Sequence, residues 1–210
     1  MEKITKECLR EILGNISKVM EEEKAYLIEL DGKMGDGDLG LTMSTGFRAV
    51  YEEIQNLDET DMGKIFMKLG MKMNAVVPST MGTLISTCFV KAAAKAKGKT
   101  ELVLADIVEM GFSAVQGVMD RGKSKVGDKT MLDALVPAVE ALQEAHQNGM
   151  SLAKANELAY RAAKEGAVCT KCMQSVHGRA AYYNEKSIGH PDSGAIAVMF
   201  IWKGIWQSFK

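Results

Sequence analysis

Proline is scarce in this chain of 210 residues: three copies, at positions 78, 137 and 191. Aromatic residues make up only 6%. Both shortages argue against a turn-rich β protein, whose strands favour aromatic side chains and whose turns favour proline. An excess of either charge is also missing, since 26 Lys and Arg stand against 27 Asp and Glu for a net charge of −1. A binder of duplex nucleic acid carries a basic face, so no nucleic-acid partner is expected. The longest apolar run, Ala195 to Trp202, falls far short of the roughly 20 residues that span a bilayer. The N-terminus, MEKITKECLREILGN, is amphipathic and mixed in charge. It has no basic n-region, apolar h-region or small-residue cleavage site of a signal peptide. A soluble, cytoplasmic chain without a membrane partner is therefore expected. The four cysteines, at 8, 88, 169 and 172, make no disulfide framework in such a compartment. Cys169 and Cys172 form a C-x-x-C with no second ligand pair and no thioredoxin-like context, so helix-packing thiols are expected.

What is present points to helices. Apolar residues are 47% and charged residues 25%, ordinary globular values, and the chain is long enough to bury a core without cross-links. Fifteen Met and many Ala suit helices. Ile4, Leu9, Ile12, Leu13, Ile16, Val19 and Met20 fall at helical spacing, as do Met62, Ile65, Phe66, Leu69, Met73, Val76 and Val77. Similar reasoning predicts helices near 24–30, 40–57, 83–97, 101–120, 130–147, 151–173 and 192–207, eight or nine in all. Thr130 and Asp133 have the spacing of a capping box, and Ser151 suits an N-cap. No alternating strand pattern and no repeat is visible. An all-α bundle of antiparallel helices in one domain, residues 1–210, is expected. Irregular segments are expected at 31–41, 78–83, 121–130 and 175–193.

The twenty glycines conflict with a helical composition, and five of them (Gly32, Gly35, Gly37, Gly40, Gly46) lie within fifteen residues. The segment from Asp31 reads DGKMGDGDLG, with three carboxylates in eight residues. Repelling charges held this closely suit a cation, and oxygen-only ligands select a hard ion such as Mg²⁺ or Ca²⁺. An EF-hand does not fit: counted from Asp36, positions 5, 6 and 12 are Gly40, Leu41 and Phe47, and counted from Asp31, position 3 is Lys33. A solvated turn with Asp38 as an N-cap is the plain alternative. Mg²⁺ usually keeps waters and phosphate oxygens in its shell, so such a loop suggests a phosphate-bearing ligand. Neither a P-loop nor a Rossmann fingerprint occurs in the sequence.

Four ordered segments resemble a known family. They are Asp31-x4-Gly-Asp36-Gly-Asp38-x-Gly, Arg121-Gly122-x4-Gly127-Asp128-Lys129-Thr130-Met131, Gly178-Arg179-Ala180, and Ser187-Ile188-Gly189-His190-x-Asp192-x-Gly194-Ala195. In order and spacing they look like the L subunit of bacterial dihydroxyacetone kinase, over essentially the whole chain. The resemblance implies a closed barrel of eight amphipathic antiparallel helices with a nucleotide at one end. It implies two Mg²⁺ ions bridging Asp31, Asp36 and Asp38 to the diphosphate of ADP, or to ATP. It implies nucleotide contacts at Leu39, Gly40, Leu41, Thr42, Thr80, Met81, Gly122, Met131, Arg179, Asp192, Ser193 and Gly194. It further implies phosphoryl transfer to a small ketose on a separate K subunit, from a phosphohistidine donor (an M subunit) or from ATP, with no side chain acting as nucleophile.

Residue chemistry supports these assignments. A helix opening at Gly40 directs N–H groups at a phosphate, and Gly82 permits close backbone approach. Met131 is either a soft lid on adenine or plain core. Arg179 is either a bidentate phosphate ligand or half of a surface ion pair. Three positions depart from the family pattern. Leu39 replaces a histidine, Ser79-Thr80-Met81-Gly82 replaces Gly-Ala-Ser-Gly, and Asp192-Ser193-Gly194 replaces Asp-Pro-Gly. A different ketose such as a tetrulose, or a non-catalytic regulatory module, are the competing expectations.

Overall fold

Helices form where the apolar spacing predicts them, because each hides one face. In the computed structural model, which describes residues 2–210, Leu9, Ile12, Leu13, Ile16, Val19 and Met20 are the buried face of α1 (Lys6–Glu22). The chain continues through α2 (Lys24–Gly32), α3 (Leu39–Asn56), α4 (Met62–Val76), α5 (Thr80–Ala96), α6 (Leu104–Gly122), α7 (Leu132–Gln147), α8 (Leu152–Cys169) and α9 (Ser193–Gln207). Two 3-10 segments, Thr170–Cys172 and Arg179–Ser187, lie between α8 and α9. No strand occurs among the described residues, only an isolated bridge from Ile4 to Leu102. No helix among them is long and apolar enough to cross a membrane.

Packing closes the bundle into a ring. In order around it come α1, α3, α4, α5, α6, α7, α8 and α9, and α9 packs back on α1. These eight form the barrel, while the short α2 sits against α3 and α9. The ninth helix therefore lies beside the eight-helix ring the resemblance implies. Successive antiparallel helices put the N-termini of α3, α5, α7 and α9 at one end. The interior is apolar and encloses a cavity of about 230 Å³ lined by residues such as Leu13, Phe47, Ile85, Met110 and Trp202.

Local chemistry sets several boundaries away from their expected places. Ser79 accepts a hydrogen bond from the Gly82 amide and caps α5, so Thr80 and Met81 lie in a first helical turn and not in a loop. The Thr130 and Asp133 pair forms one half of the box: Asp133 accepts from the Thr130 amide at 2.7 Å, but Thr130 Oγ1 accepts from the Leu132 amide at 3.2 Å and the Asp133 amide donates to the Thr130 carbonyl instead. The helix proper starts only at Leu132. Asp38 stands at the N-cap position of α3 but makes no capping bond, so its carboxylate is not occupied there. Cys169 and Cys172 are both exposed, contrary to expectation. The reason is that α8 ends at Cys169 and the chain tightens into a 3-10 turn that turns the intervening Thr170 inward instead.

Glycine spacing inside helices reflects close approach. Pro137, inside α7, has no N–H to offer the Asp133 carbonyl. At that carbonyl α8 presents Gly166, where an added Cβ would fall 2.0 Å from the oxygen. Gly204 of α9 meets the Ile16 backbone of α1 with the same intimacy, an added Cβ lying 2.7 Å from its Cα.

Candidate functional site at the barrel mouth

The loop between α2 and α3 gathers three carboxylates. Asp31 is in the last turn of α2, and Gly37, at φ +73°, turns the chain back so that its amide donates to Asp31 Oδ2 at 3.0 Å. One oxygen each from Asp31, Asp36 and Asp38 lie within 4.8 Å of one another. Asp38 has its pKa raised, first by partial desolvation and then by the charges of Asp36 and Asp31. A carboxylate set that raises its own pKa gains stability from a bound cation. These close oxygens, with no sulfur or imidazole among them, fit Mg²⁺ in donor type.

Two other segments reach this loop. Ser193, the first residue of α9, donates its hydroxyl to Asp31 Oδ1 at 2.9 Å. Arg179, from the second 3-10 segment, places a guanidinium nitrogen 2.8 Å from Asp36 Oδ2. Asp192 caps α9, its Oδ2 accepting from the Ala195 amide at 2.7 Å. Burial pushes its pKa up to about 7, the charges of Asp133 and Asp31 adding to the rise. Across the mouth, an added Cβ on Gly194 would come within 3.6 Å of Met131. The hydroxyls of Thr42, in the first turn of α3, and Ser79 are 3.5 Å apart.

The expected residues thus divide by position. Asp31, Asp36, Asp38, Arg179 and Ser193 are directly joined. Thr42, Thr80, Met81, Met131, Asp192 and Gly194 lie on or just before helix N-termini at the same end. Gly122 ends α6 there, with an added Cβ 3.8 Å from Leu84 of α5. Leu39 and Gly40 are buried while Leu41 is exposed. Leu39 belongs to the core, so only its backbone is available to a ligand. Gly40 is needed by packing as well, since an added Cβ would fall 2.3 Å from the Lys24 carbonyl of α2. Met131 is also core, at 4% exposure.

Sequence reasoning missed the fastening of the closing segment. Lys129 is buried, and its ammonium donates to the carbonyls of Met173, at 3.0 Å, and Ser187. Burial lowers its pKa, opposed by the charges of Asp192 and Cys172. His177 Nε2 lies 3.0 Å from Asp128 Oδ2. The hydrogen bond from Lys125, helped by that from His177, holds Asp128 down to about 2 against its burial. Thr170 Oγ1 accepts from the Asp192 amide at 2.9 Å, and the Lys171 carbonyl from the Gly189 amide at 2.7 Å. Two adjacent opposite charges after a glycine, Gly127-Asp128-Lys129, inside a segment expected to be irregular, are the only local signal.

Four helix N-termini around three carboxylates and an arginine make a place for an anion bridged by a cation. The N-termini supply partial positive charge and N–H groups, and the three carboxylates could hold a metal. Comparisons with known proteins agree with this chemistry. Residues 33–207 match the DAK2 domain. The chain is 38% identical over 189 residues to the PEP-dependent dihydroxyacetone kinase, ADP-binding subunit DhaL, of Escherichia coli, covering 90% of each protein. It is 30% identical to the corresponding PTS-dependent subunit of Lactococcus lactis, covering 94% of each. It also matches human triokinase/FMN cyclase at 30% identity, spanning 93% of this chain but 34% of that protein. The crystal structure of the dihydroxyacetone kinase from C. freundii in complex with AMP-PNP and Mg²⁺ superposes with a TM-score of 0.73 at 25% identity, over 95% of this chain and 33% of that one. Family match, near full-length likeness to the bacterial subunits and shared helical architecture lead to one assignment: the chain belongs to the DAK2 domain family of kinases, among the L subunits of dihydroxyacetone kinase.

Proposed function

We propose that residues 1–210 act as one nucleotide-binding domain that holds ADP or ATP with two Mg²⁺ ions and passes a phosphoryl group to a small ketose carried by a separate K subunit. The observation that carries this reading is the carboxylate trio, with oxygens within 4.8 Å of one another, set at the end where four helices begin. Asp31, Asp36 and Asp38 would hold the metal. When bound, Mg²⁺ neutralises phosphate charge and lowers the barrier to its transfer. Arg179 adds donors suited to phosphate oxygens, and Ser193 orients Asp31 through its hydroxyl. Leu39–Thr42, Thr80, Met81, Gly122, Met131 and Asp192–Gly194 surround the nucleotide, by backbone where their side chains are core. No side chain is needed as a nucleophile, because positioning and charge stabilisation supply the catalysis.

The donor is a phosphohistidine protein of the M type. Support comes from the near full-length likeness to bacterial subunits described as PEP- or PTS-dependent and ADP-binding. The absence of any membrane-crossing helix among the described residues suits a cytoplasmic protein. The departures at Leu39 and Met81 favour, as a second reading, an ATP-dependent kinase for another ketose such as a tetrulose. A regulatory nucleotide-binding module is separated from both by assay.

Purified protein would be extracted and its nucleotide identified by mass spectrometry, with calorimetry of ADP and ATP in Mg²⁺ and in EDTA. Mg²⁺-dependent affinity is expected, and its absence overturns the reading. Mixing the chain with a K subunit and either ATP or a phosphohistidine donor, and following ketose phosphate, identifies donor and acceptor. Nucleotide binding without turnover in any combination would leave the regulatory module.

A further inference from the structure

Cys169 and Cys172 have no part in the reading above, yet the structure exposes both. Cys169 ends α8, and Cys172 ends the 3-10 turn Thr170–Cys172. Side chains three residues apart eclipse in a 3-10 turn, and a rise of about 2 Å per residue puts the two Cα atoms about 6 Å apart. That separation lies inside the span a disulfide bridges, about 4.4–6.8 Å. The turn is also where the closing segment is fastened. Its buried Thr170 accepts from the Asp192 amide, and its Lys171 carbonyl accepts from the Gly189 amide. The buried Lys129 ammonium, whose pKa the charge of Cys172 raises against its burial, lies beside this turn and donates to the Met173 carbonyl next to Cys172. The other two cysteines offer no rival pairing. Cys88 is driven up to about 12 by burial, and Cys8 lies in the first turn of α1 with its sulfur against the Thr5 hydroxyl.

We infer that Cys169 and Cys172 are a reversible dithiol–disulfide site, and that its oxidation locks the turn that anchors Gly189 and Asp192. The oxidant is a small-molecule disulfide of the glutathione class. The Cys172 thiolate attacks one sulfur of that disulfide and expels a thiolate, which takes up a proton. The Cys169 thiolate then attacks the Cys172 sulfur of the mixed disulfide and expels the second thiol. One S–S bond breaks and one forms, and two electrons pass to the oxidant. A pair of this kind responds to the surrounding thiol poise without serving as a structural cross-link.

The test equilibrates the full-length protein in buffers of reduced and oxidised glutathione, blocks free thiols with N-ethylmaleimide, and maps the products by mass spectrometry. The expected product is about 2 Da lighter, joins positions 169 and 172, and keeps Cys8 and Cys88 free. Hydrogen exchange at the Gly189 and Asp192 amides should slow by roughly threefold or more in that product. In Cys169→Ser a glutathione adduct should persist at Cys172, and the two amides should not slow. Four results would each overturn the inference: both thiols still free in fully oxidised glutathione, a lasting adduct in the wild-type chain, a disulfide-linked dimer, or a disulfide that leaves the two amides unchanged. None of these readouts involves nucleotide, so failure here is distinct from failure of the proposed function.

Discussion

The Arg179 guanidinium stands 2.8 Å from a carboxylate oxygen of Asp36, joining the segment before α9 to the loop before α3. The two side chains are 68% and 41% exposed, so the pair adds little to stability. In the proposed site its effect would be on ligand order: Arg179 and a divalent cation would compete for one carboxylate, while a phosphate would offer the guanidinium a bidentate partner.

Replacing Arg179 should therefore change two affinities in opposite directions. Arg179→Ala is expected to bind Mg²⁺ alone about twofold to fivefold more tightly, because a competing charge is gone. It should bind the Mg²⁺–nucleotide about tenfold more weakly, through loss of a charge-assisted contact. Arg179→Lys should restore only part of the latter, and the melting temperature should move by no more than about 3 °C. Calorimetry with metal alone and with metal plus nucleotide checks the pair of signs.

Asp36→Asn should remove measurable Mg²⁺-dependent nucleotide binding and leave the helical circular-dichroism spectrum intact. Asp36 is exposed and lies in the loop, outside the helices, so nothing in the barrel needs its charge. Its removal also takes away one of the charges that raise Asp38. Titration of Asp38 by NMR should accordingly move downward in the variant. Retained nucleotide affinity would count against the metal assignment.

Stability should vary with pH through Asp192. Its pKa is about 7 in the folded chain against 3.8 as the reference value, mainly because of burial. Between these values the folded state binds more protons than the unfolded one, so stability falls as pH rises. The favourable contribution is complete below about pH 4 and gone above about pH 7, with a total on the order of a few kcal/mol. Asp128 has the opposite sign, its contribution being lost as pH falls toward about 2. Denaturant melts in EDTA from pH 4 to 8 should show the decline, and Asp192→Asn should flatten it while keeping an N-cap.

Much of the architecture was legible from periodicity, because every barrel helix has one wet face and one dry face. Capping chemistry was half legible. Ser151 does accept from the Lys154 amide, but Ser79, inside the expected irregular segment 78–83, caps α5. The carboxylate trio was legible because charge crowding is local in sequence. Lys129 was not, since its partners at Met173 and Ser187 are brought to it only by the fold. The assignment of Gly40 and Gly82 to ligand approach was incomplete for a related reason. Each faces a backbone carbonyl, Lys24 and Val77 respectively, and a sequence does not reveal which glycines meet another helix.

The glycines also separate folding from binding. An added Cβ on Gly166 would lie 2.0 Å from the Asp133 carbonyl oxygen, a backbone atom that yields only if α7 and α8 part. Gly166→Ala should cost roughly 1–3 kcal/mol or more through overpacking, lowering the melting temperature by about 3–10 °C. The parting would begin at the N-terminal turn of α7, where Asp133 holds the Gly127 and Thr130 amides. Gly122→Ala crowds only the movable Ser124 hydroxyl, at 3.1 Å, with Leu84 at an ordinary contact of 3.8 Å, and sits in the last turn of α6, where alanine is the better helix former. That variant should melt within about 2 °C of the wild type and still bind Mg²⁺–nucleotide more weakly, because the added methyl group would stand where the proposed function places the nucleotide. If both variants lost stability alike, or if Gly122→Ala bound normally, Gly122 would have a packing role and no place in the nucleotide site.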